Sequence, residues 1–335
     1  MSCQVSTCNS EQTLLKMTRK SKVGHLPEPY LIGDTWKPSD NIRDFSGDQR
    51  NFENRILHSP VYKQYKPLNA LFTTSSKYLG RMVNEMLNCE CAYLPCVSLT
   101  DPHIIGMHDL WYSEARILHR DISINNIVWE FRHDEPHFIL SDLDLATVVT
   151  VDGKPDSEPS SNHRTGTLPF LSLDVLDDLA KFTLAQANNQ PLPPPVMHLL
   201  RFDYESLLWA ALWCASNMEE DVSKEHKDAA AAIIREWENQ SFQAVADSKT
   251  ALLFGAKKKM EFPYSPKFKP WEKWFNKWMK LLKEGRNSYE DYALELYEAD
   301  TSPKPTFDWE TLDGRFTKDA ILKVLDPADM TNMLS

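Results

Sequence analysis

Apolar and polar residues change their spacing along the chain, and the pattern predicts short strands followed by a mainly helical second half. Alternating residues at Ile127–Phe131 and Phe138–Leu140 predict two strands joined by a turn. The apolar run within Asp203–Ala215 predicts a buried helix. Helical spacing recurs in four further segments, at Met107–Arg116, Trp271–Leu282, Tyr289–Tyr297 and Lys318–Leu325. The fold class that this order predicts is α+β.

The N-terminal third has weaker periodicity. Residues 1–25 are polar, mixed in charge and aperiodic, so we expect a disordered arm there. Tyr30–Ile32 predicts a short strand. Phe52, Ile56 and Leu57 have the spacing of one helical face, which predicts a helix in that region.

One lysine-rich segment has two interpretations. Lys257–Lys283 holds nine lysines and two acidic residues among aromatic side chains, which is typical of a surface that stacks nucleic-acid bases. Its large apolar residues nevertheless share one helical face: Trp271, Trp274, Phe275, Trp278, Leu281 and Leu282. We therefore favour a core helix with a solvated lysine face. The net charge of −11 and the pI near 5.4 also argue against a nucleic-acid partner.

The apolar runs and the cysteine spacing indicate which cellular compartment to expect for the protein. The longest apolar run, Leu207–Ala215, is much shorter than the roughly 20 residues that span a bilayer. No signal peptide is recognisable, so we expect an intracellular protein without a membrane partner. The six cysteines have irregular spacing, which predicts free thiols in a reducing compartment. A metal site at Cys89, Cys91 and Cys96 is the weaker alternative, because this spacing fits no common zinc motif.

The densest cluster of chemically active residues is HRDISINNIV, at positions 119–128. His119, Arg120 and Asp121 are followed by Asn126, which is the spacing of a protein-kinase catalytic loop. Transfer of phosphate from ATP needs a carboxylate that orients the attacking hydroxyl, and oxygen ligands for magnesium. We therefore predict Asp121 as the base and Asn126 as a metal ligand.

A second carboxylate follows the predicted hairpin. In FILSDLDLA, Asp142 ends an apolar strand, where a kinase presents the carboxylate that joins magnesium to the phosphates. Leu143 and Asp144 stand in place of the usual Phe-Gly, and the loss of glycine restricts the backbone. Asp142 is thus the second predicted magnesium ligand.

The segment RTGTLPFLSLDVL, at 164–176, resembles the end of a kinase activation segment. Its RTGT element contains Thr165, Gly166 and Thr167. Gly166 permits a tight turn, and we expect Thr167 to face Asp121. Asp174 stands where a glutamate normally anchors this segment through an ion pair.

Together, HRDIS, the DLDLA strand end, RTGT and RFDYESLLWAALW resemble the fungal-type protein kinase domain, most firmly over 107–215. The resemblance implies a protein kinase-like two-lobed fold, a mainly helical C-lobe, and ATP and Mg²⁺ as cofactors. It also implies that Asp203 and Ser206 begin a buried helix, whose aspartate holds the backbone of the catalytic loop. Asp144 is a trait of this family. So is Ser123, which joins the predicted catalytic set in place of a lysine that usually reaches the γ-phosphate.

The N-terminal part departs from a complete kinase. Gly33 occupies the position of the strand lysine that would pair with Glu53, and no glycine-rich loop precedes it. We predict three regions: a disordered arm at 1–25, a reduced, atypical N-lobe at 26–106, and a C-lobe at 107–335. Residues 83–106 have no counterpart in the family, and either a functional insertion or an incorrect gene model explains them.

The sequence leaves three functions open. The first is ATP- and Mg²⁺-dependent transfer of phosphate to serine or threonine hydroxyls of an unidentified protein substrate. The second is a catalytically impaired pseudokinase that keeps the fold as a binding module, which Gly33 favours. The third is a small-molecule phosphotransferase, which is disfavoured because such enzymes lack the RTGT segment.

Arg120 has two interpretations. It is either a surface arginine or the docking site of a phosphorylated activation segment. The candidate phosphate acceptors in that segment are Thr150, Ser157, Ser160, Ser161 and Thr165.

Overall fold

The structure is a computed structural model that describes only part of the chain. The described ranges are 29–31, 34–36, 57–58, 61–87, 117–149, 166–194, 196–239, 241–255, 262–298 and 306–324. The predicted arm at 1–25 and the predicted helix at Met107–Arg116 lie outside these residues, as do Gly33 and Glu53.

Short antiparallel strands form several small sheets. Strand β1 is Pro29–Leu31, β2 is Asp34–Trp36, β3 is Leu57–His58, β4 is Val61–Tyr62 and β5 is Lys66–Pro67. Farther along, β6 is Ile117–Leu118, β7 is Ile127–Arg132, β8 is Glu135–Leu140 and β9 is Thr147–Val148. Strand β1 pairs with β4, β2 with β3, and β6 with β9, while β5, β7 and β8 form one sheet with β7 in the centre.

The β7–β8 hairpin confirms the predicted pair of strands and extends it. Its register runs from Ile127 opposite Leu140 to Arg132 opposite Glu135. His133 and Asp134 make the two-residue turn with φ angles of 50° and 63°. Such a turn matches the twist of the strands, and aspartate and histidine tolerate this left-handed conformation better than most residues. The open end of the hairpin therefore carries the residues that precede Ile127 and follow Leu140.

The prediction that Leu57 belongs to a helix is wrong. Leu57 and His58 form strand β3, in which Leu57 pairs with Trp36 and His58 pairs with Asp34. The backbone hydrogen bonds of this pairing override the helical spacing of the side chains. The other two residues of that predicted face, Phe52 and Ile56, lie outside the described residues.

Helices make up most of the described second half, so the α+β class is confirmed. The helices are α1 (Asn69–Phe72), α2 (Leu79–Leu87), α3 (Leu173–Ala187), α4 (Leu200–Asn217), α5 (Lys224–Trp237), α6 (Phe242–Phe254), α7 (Glu272–Glu298) and α8 (Lys318–Val324). Residues 83–87, which we assigned to the predicted insertion, continue helix α2 with Val83, Met86 and Leu87 buried.

The two helices predicted at Trp271–Leu282 and Tyr289–Tyr297 are one continuous helix, α7, so their separation was wrong. Gly285 lies between them, but it does not end the helix. A Cβ atom on Gly285 would lie 2.9 Å from the Cβ of Leu312, which is too close for a real contact. The glycine is thus explained by the close approach of Leu312. The prediction of a helix near Lys318 is confirmed by α8.

The core is built around helix α4, in which nearly every residue is buried. The aromatic face of α7 and the residue before it also belong to this core, with Trp271, Trp274, Phe275 and Trp278 all at most 4% exposed. Rings that are buried in this way cannot stack on bases, so the core-helix interpretation is confirmed. Cys214 is a free, buried thiol whose pKa is raised by burial.

Within the described ranges, none of the helices combines the length and the apolar character needed to cross a bilayer. The other five cysteines, including Cys89, Cys91 and Cys96, lie outside those ranges.

We expect Trp278→Ala to lower the free energy of unfolding by about 3–5 kcal/mol, because it removes a fully buried ring and leaves a cavity. Denaturant titration with circular dichroism measures this change. Tyr297→Ala on the same helix is the control, since Tyr297 is 90% exposed and its loss should cost less than about 0.5 kcal/mol. Equal effects of the two variants would contradict the assigned core.

Candidate active site

One buried carboxylate holds the backbone of the loop between β6 and β7. Asp203, in the first turn of α4, is completely buried. Its Oδ2 accepts a hydrogen bond from the backbone N–H of His119 at 3.0 Å, and its Oδ1 accepts one from the N–H of Arg120 at 3.1 Å. The side chain of His198 lies 2.9 Å from the same Oδ1. The buried charge of Asp203 is therefore compensated by donors that belong to the loop and to the approach to α4.

Arg120 has a left-handed backbone, with φ of 69°. This conformation costs free energy for a residue with a side chain and persists only where the surroundings fix it. Here the hydrogen bonds from the backbone N–H groups of His119 and Arg120 to Asp203 fix this conformation. They turn the chain so that Asp121 leaves the buried strand β6 and becomes partly exposed.

His119 supports the same turn from inside. Its ring is fully buried, with Nε2 located 3.0 Å from the carbonyl oxygen of Ser141 and Nδ1 located 3.3 Å from the backbone nitrogen of Asp121. This arrangement fits a neutral ring that donates from Nε2 and accepts at Nδ1. The histidine therefore links the loop to the end of strand β8.

Asp121 has hydrogen-bond donors on both of its oxygens. Oδ1 accepts from the backbone N–H of Thr167 at 2.7 Å and from its hydroxyl at 2.8 Å. Oδ2 accepts from the side-chain amide of Asn126 at 2.9 Å. These contacts fix the orientation of the carboxylate.

Asn126 spans the loop. Its Nδ2 donates to both the backbone oxygen and Oδ2 of Asp121, at 2.8 and 2.9 Å, so both amide hydrogens are used and its Oδ1 points away from Asp121. Its backbone nitrogen lies 3.3 Å from the hydroxyl oxygen of Ser123. Ser123 is fully buried, so in this structure its hydroxyl stabilises the loop from within.

The open end of the hairpin brings Asp142 beside Asn126. Ser141 donates to the backbone oxygen of Asn126 from its N–H at 2.8 Å and from its hydroxyl at 3.0 Å. Asp142 comes next, exposed and with φ of 63°, while Leu143 is buried and anchors the turn. The backbone nitrogen of Asp144 lies 3.3 Å from Oδ1 of Asp142 and donates a hydrogen bond to it, so the turn itself orients this carboxylate.

These oxygens form a donor set that suits magnesium. Magnesium prefers oxygen ligands and is commonly bound by one or two side chains together with phosphates and water. The exposed carboxylate of Asp142 and the side-chain oxygen of Asn126, whose Nδ2 faces Asp121, are ligands of that kind. In the described part of the chain, no group of three or more His, Cys, Asp or Glu residues is arranged to hold a metal by itself.

The segment that begins at Gly166 closes the site from the other side. Gly166 has φ of 154°, a conformation that side chains rarely allow, and a Cβ atom there would collide with the side chain of Leu171. The next residue, Thr167, hydrogen-bonds to Asp121, the contact that the sequence led us to expect. Thr165 lies outside the described residues.

Asp174 anchors the far end of this segment, in the first turn of α3. Its Oδ2 lies 2.9 Å from Nη1 of Arg201 and 2.9 Å from Nη1 of Arg286. Burial raises the pKa of Asp174, but the charges of Arg201 and Arg286 outweigh burial, and the pKa lies below its ordinary value of 3.8. We did not predict these two contacts: Arg201 is the first residue of RFDYESLLWAALW, but that motif does not indicate its partner, and Arg286 belongs to none of the motifs above.

Ser206, the other residue implied at the start of the buried helix, lies within α4 and donates to the backbone oxygen of Phe202 at 2.9 Å. The candidate phosphate acceptors Thr150, Ser157, Ser160 and Ser161 lie outside the described residues, as Thr165 does. The docking role of Arg120 therefore stays a prediction.

Comparison with known families supports the assignment that this geometry suggests. Residues 98–215 match the family model described as fungal protein kinase. The matched region contains the loop between β6 and β7, the hairpin, the segment after Gly166 and most of helix α4. The resemblance to the fungal-type protein kinase domain is thus confirmed over this region, and the family suggests a kinase-like function. None of the curated proteins matches the chain.

We expect Asp174→Asn to destabilise the chain by about 2–4 kcal/mol at neutral pH, because it leaves the buried guanidinium of Arg201 without its anion. The folded-state pKa of Asp174 is lowered, so its contribution is present above the ordinary pKa of 3.8 and is lost as pH falls through the folded pKa. Denaturant titrations at pH 7 and near pH 3 measure this. A difference between wild type and variant that does not shrink in acid would contradict the ion pair.

Proposed function

We propose that this chain is a protein kinase that transfers the γ-phosphate of ATP to serine or threonine hydroxyls of a protein substrate with Mg²⁺. In this proposal the described helices belong to the C-lobe of a kinase-like two-lobed fold, and the early strands belong to a reduced N-lobe. Such a protein needs no nucleic-acid or membrane partner. The fungal protein kinase match over 98–215 supports the class.

The observation that carries the proposal is the environment of the Asp121 carboxylate. A carboxylate can accept about four hydrogen bonds. Thr167 supplies two of them on Oδ1, and Asn126 supplies one on Oδ2. One acceptor position on Oδ2 is left beside the predicted metal ligands, which is where an incoming hydroxyl would need a base or an orienting partner.

Magnesium and ATP fit the remaining groups. Asp142 and Asn126 would hold the metal, and the bound metal would neutralise charge on the phosphates. The surrounding residues of the protein hold these groups in position. Asp203 fixes the loop that bears Asp121, and the bonds from Ser141 to Asn126 hold the two metal ligands at one end of the hairpin.

Contact between Asp121 and Thr167 favours a protein substrate over a small molecule. Thr167, the last residue of the RTGT segment, hydrogen-bonds to Asp121, which supports a role for this segment in the site. Small-molecule phosphotransferases with a similar loop lack this segment. This contact therefore disfavours the third function, a small-molecule phosphotransferase.

A catalytically impaired pseudokinase is the second candidate, because Gly33 stands where a kinase has its phosphate-binding lysine. Such a protein would keep a magnesium-nucleotide site without turnover. Thermal denaturation with millimolar Mg-ATP, together with a phosphorylation assay, separates the two candidates. A higher melting temperature without any phosphate incorporation would favour the second candidate.

We expect wild-type protein to incorporate labelled phosphate from ATP into serine- or threonine-containing peptides or into itself. Asp121→Asn and Asp142→Asn should each reduce the rate at least about a hundredfold, since each removes a group that acts on the reacting atoms. The matched control is Asp134→Asn at the closed end of the same hairpin, where asparagine tolerates the positive φ of 63°. Wild-type rates in the Asp121 and Asp142 variants would overturn the proposal.

A further inference from the structure

We infer that Lys249 and Glu205 are positioning residues that clamp the backbone at Leu171–Leu173 and thereby keep Thr167 on Asp121. The link to catalysis rests on the function proposed above, whereas the clamp itself concerns only the folded chain. Neither residue belongs to a motif of the catalytic loop or of the RTGT segment.

Lys249 reaches the segment from helix α6. Its Nζ donates a hydrogen bond to the backbone oxygen of Leu171 at 2.6 Å, and the whole side chain is buried. The ammonium also lies 4.7 Å from the ring centre of Trp209 and 5.5 Å from that of Trp237. A lysine enclosed in this way has exchanged its hydration for one backbone oxygen and two aromatic faces.

Glu205 reaches the segment from helix α4. Its Oε1 accepts a hydrogen bond from the N–H of Leu173 at 2.8 Å and one from the indole N–H of Trp209 at 3.1 Å. The residue is completely buried. Lys249 and Glu205 therefore hold a carbonyl and an amide two residues apart, and Trp209 contacts both side chains.

Helix α4 connects this clamp to the catalytic loop. Asp203 holds the amides of His119 and Arg120, and Glu205, two residues later on the same helix, holds the amide of Leu173. One rigid element thus sets the position of both chain segments that meet at Asp121 and Thr167.

The chain between the clamp and Thr167 is short and stiff. Leu168–Phe170 forms one turn of 3-10 helix with Pro169 inside it, and the N–H of Phe170 donates to the backbone oxygen of Thr167 at 2.9 Å. Phe170 packs edge-on against Trp213 of α4, with ring centres 5.6 Å apart. A displacement at Leu171 is therefore transmitted to Thr167.

The chemistry of Lys249 and Glu205 indicates that the pair positions the backbone rather than stabilises the fold. Burial lowers the pKa of Lys249 to about 7, and the charge of Glu205 only partly offsets it. Burial also raises the pKa of Glu205, and the charges of Arg286 and, to a smaller extent, Lys249 only partly offset that. Apolar side chains would fill the same space without this desolvation cost. What apolar side chains could not supply is a donor for Leu171 and an acceptor for Leu173.

The test uses Lys249→Met in the full chain, which keeps an unbranched apolar side chain and removes the donor. Lys273→Met, at an exposed position of α7, is the matched control. The measurement is backbone amide hydrogen exchange, followed by mass spectrometry in a peptide that covers 166–175. Lys249→Met should speed exchange in 166–175 at least tenfold, and Lys273→Met should leave it unchanged. Unchanged exchange in folded Lys249→Met would overturn the clamp.

Glu205→Leu keeps the inference testable if Lys249→Met does not fold, because leucine suits a buried site. It removes the acceptor for Leu173 and should also speed exchange in 166–175 at least tenfold. Wild-type exchange in this variant would count against the inference in the same way.

Kinetics test the link to catalysis separately. The folded variants should have kcat at least tenfold lower, with KM for ATP unchanged, because the clamp acts on Thr167 and not on the metal ligands. Unchanged kcat alongside faster exchange would overturn the positioning role. If wild-type protein transfers no phosphate, the proposed function fails, while the exchange measurement still decides the clamp.

Discussion

The carboxylate of Asp203 is the constraint on which the rest of the site depends. It is buried without access to water, and it is stabilised by the amides of His119 and Arg120 together with His198. Removal of those donors would leave an uncompensated charge in the core, so the loop is held in one place. The strained backbone of Arg120 is one consequence, and the exit of Asp121 towards solvent is another.

Around this fixed loop, the fold brings separate chain segments to one point. The hairpin places Asn126 and Asp142 at its open end, and the segment after Gly166 delivers Thr167 to Asp121. Helix α4 supports these segments, since it carries both Asp203 and Glu205. The small sheets supply turns and strand ends, while the helical core supplies rigidity, and the proposed phosphoryl transfer needs both.

Local pattern was enough to predict the parts of the structure that depend on neighbouring residues. The hairpin follows from alternation, the buried helix α4 from its apolar run, and the Asp121–Asn126 pair from spacing within one loop. Pattern failed where a distant contact decides. Leu57 lies in a strand because its backbone pairs with Trp36, and Gly285, which suggested a break in α7, is instead explained by the close approach of Leu312.

Charged partners on other helices are the clearest case of this limit. Three cations from separate helices contact the 166–174 segment: Arg201 and Arg286 pair with Asp174, and Lys249 donates to the backbone oxygen of Leu171. Nothing in the sequence around these cations indicates which residue each one contacts. Their roles are set by how α4, α6 and α7 pack against α3. Such contacts follow from tertiary structure and cannot be derived from periodicity or motif spacing.

Direct measurement of metal binding tests the central claim that Asp121, Asn126 and Asp142 form a metal-dependent nucleotide site. Manganese accepts the same oxygen ligands as magnesium and can be followed by electron paramagnetic resonance. Titration of wild-type protein with Mn²⁺ and ATP should show bound metal, and Asp142→Asn should weaken that binding at least tenfold, with Asp134→Asn unchanged. Equal binding of Mn²⁺-ATP by wild type and Asp142→Asn, or none by wild type, would contradict the account.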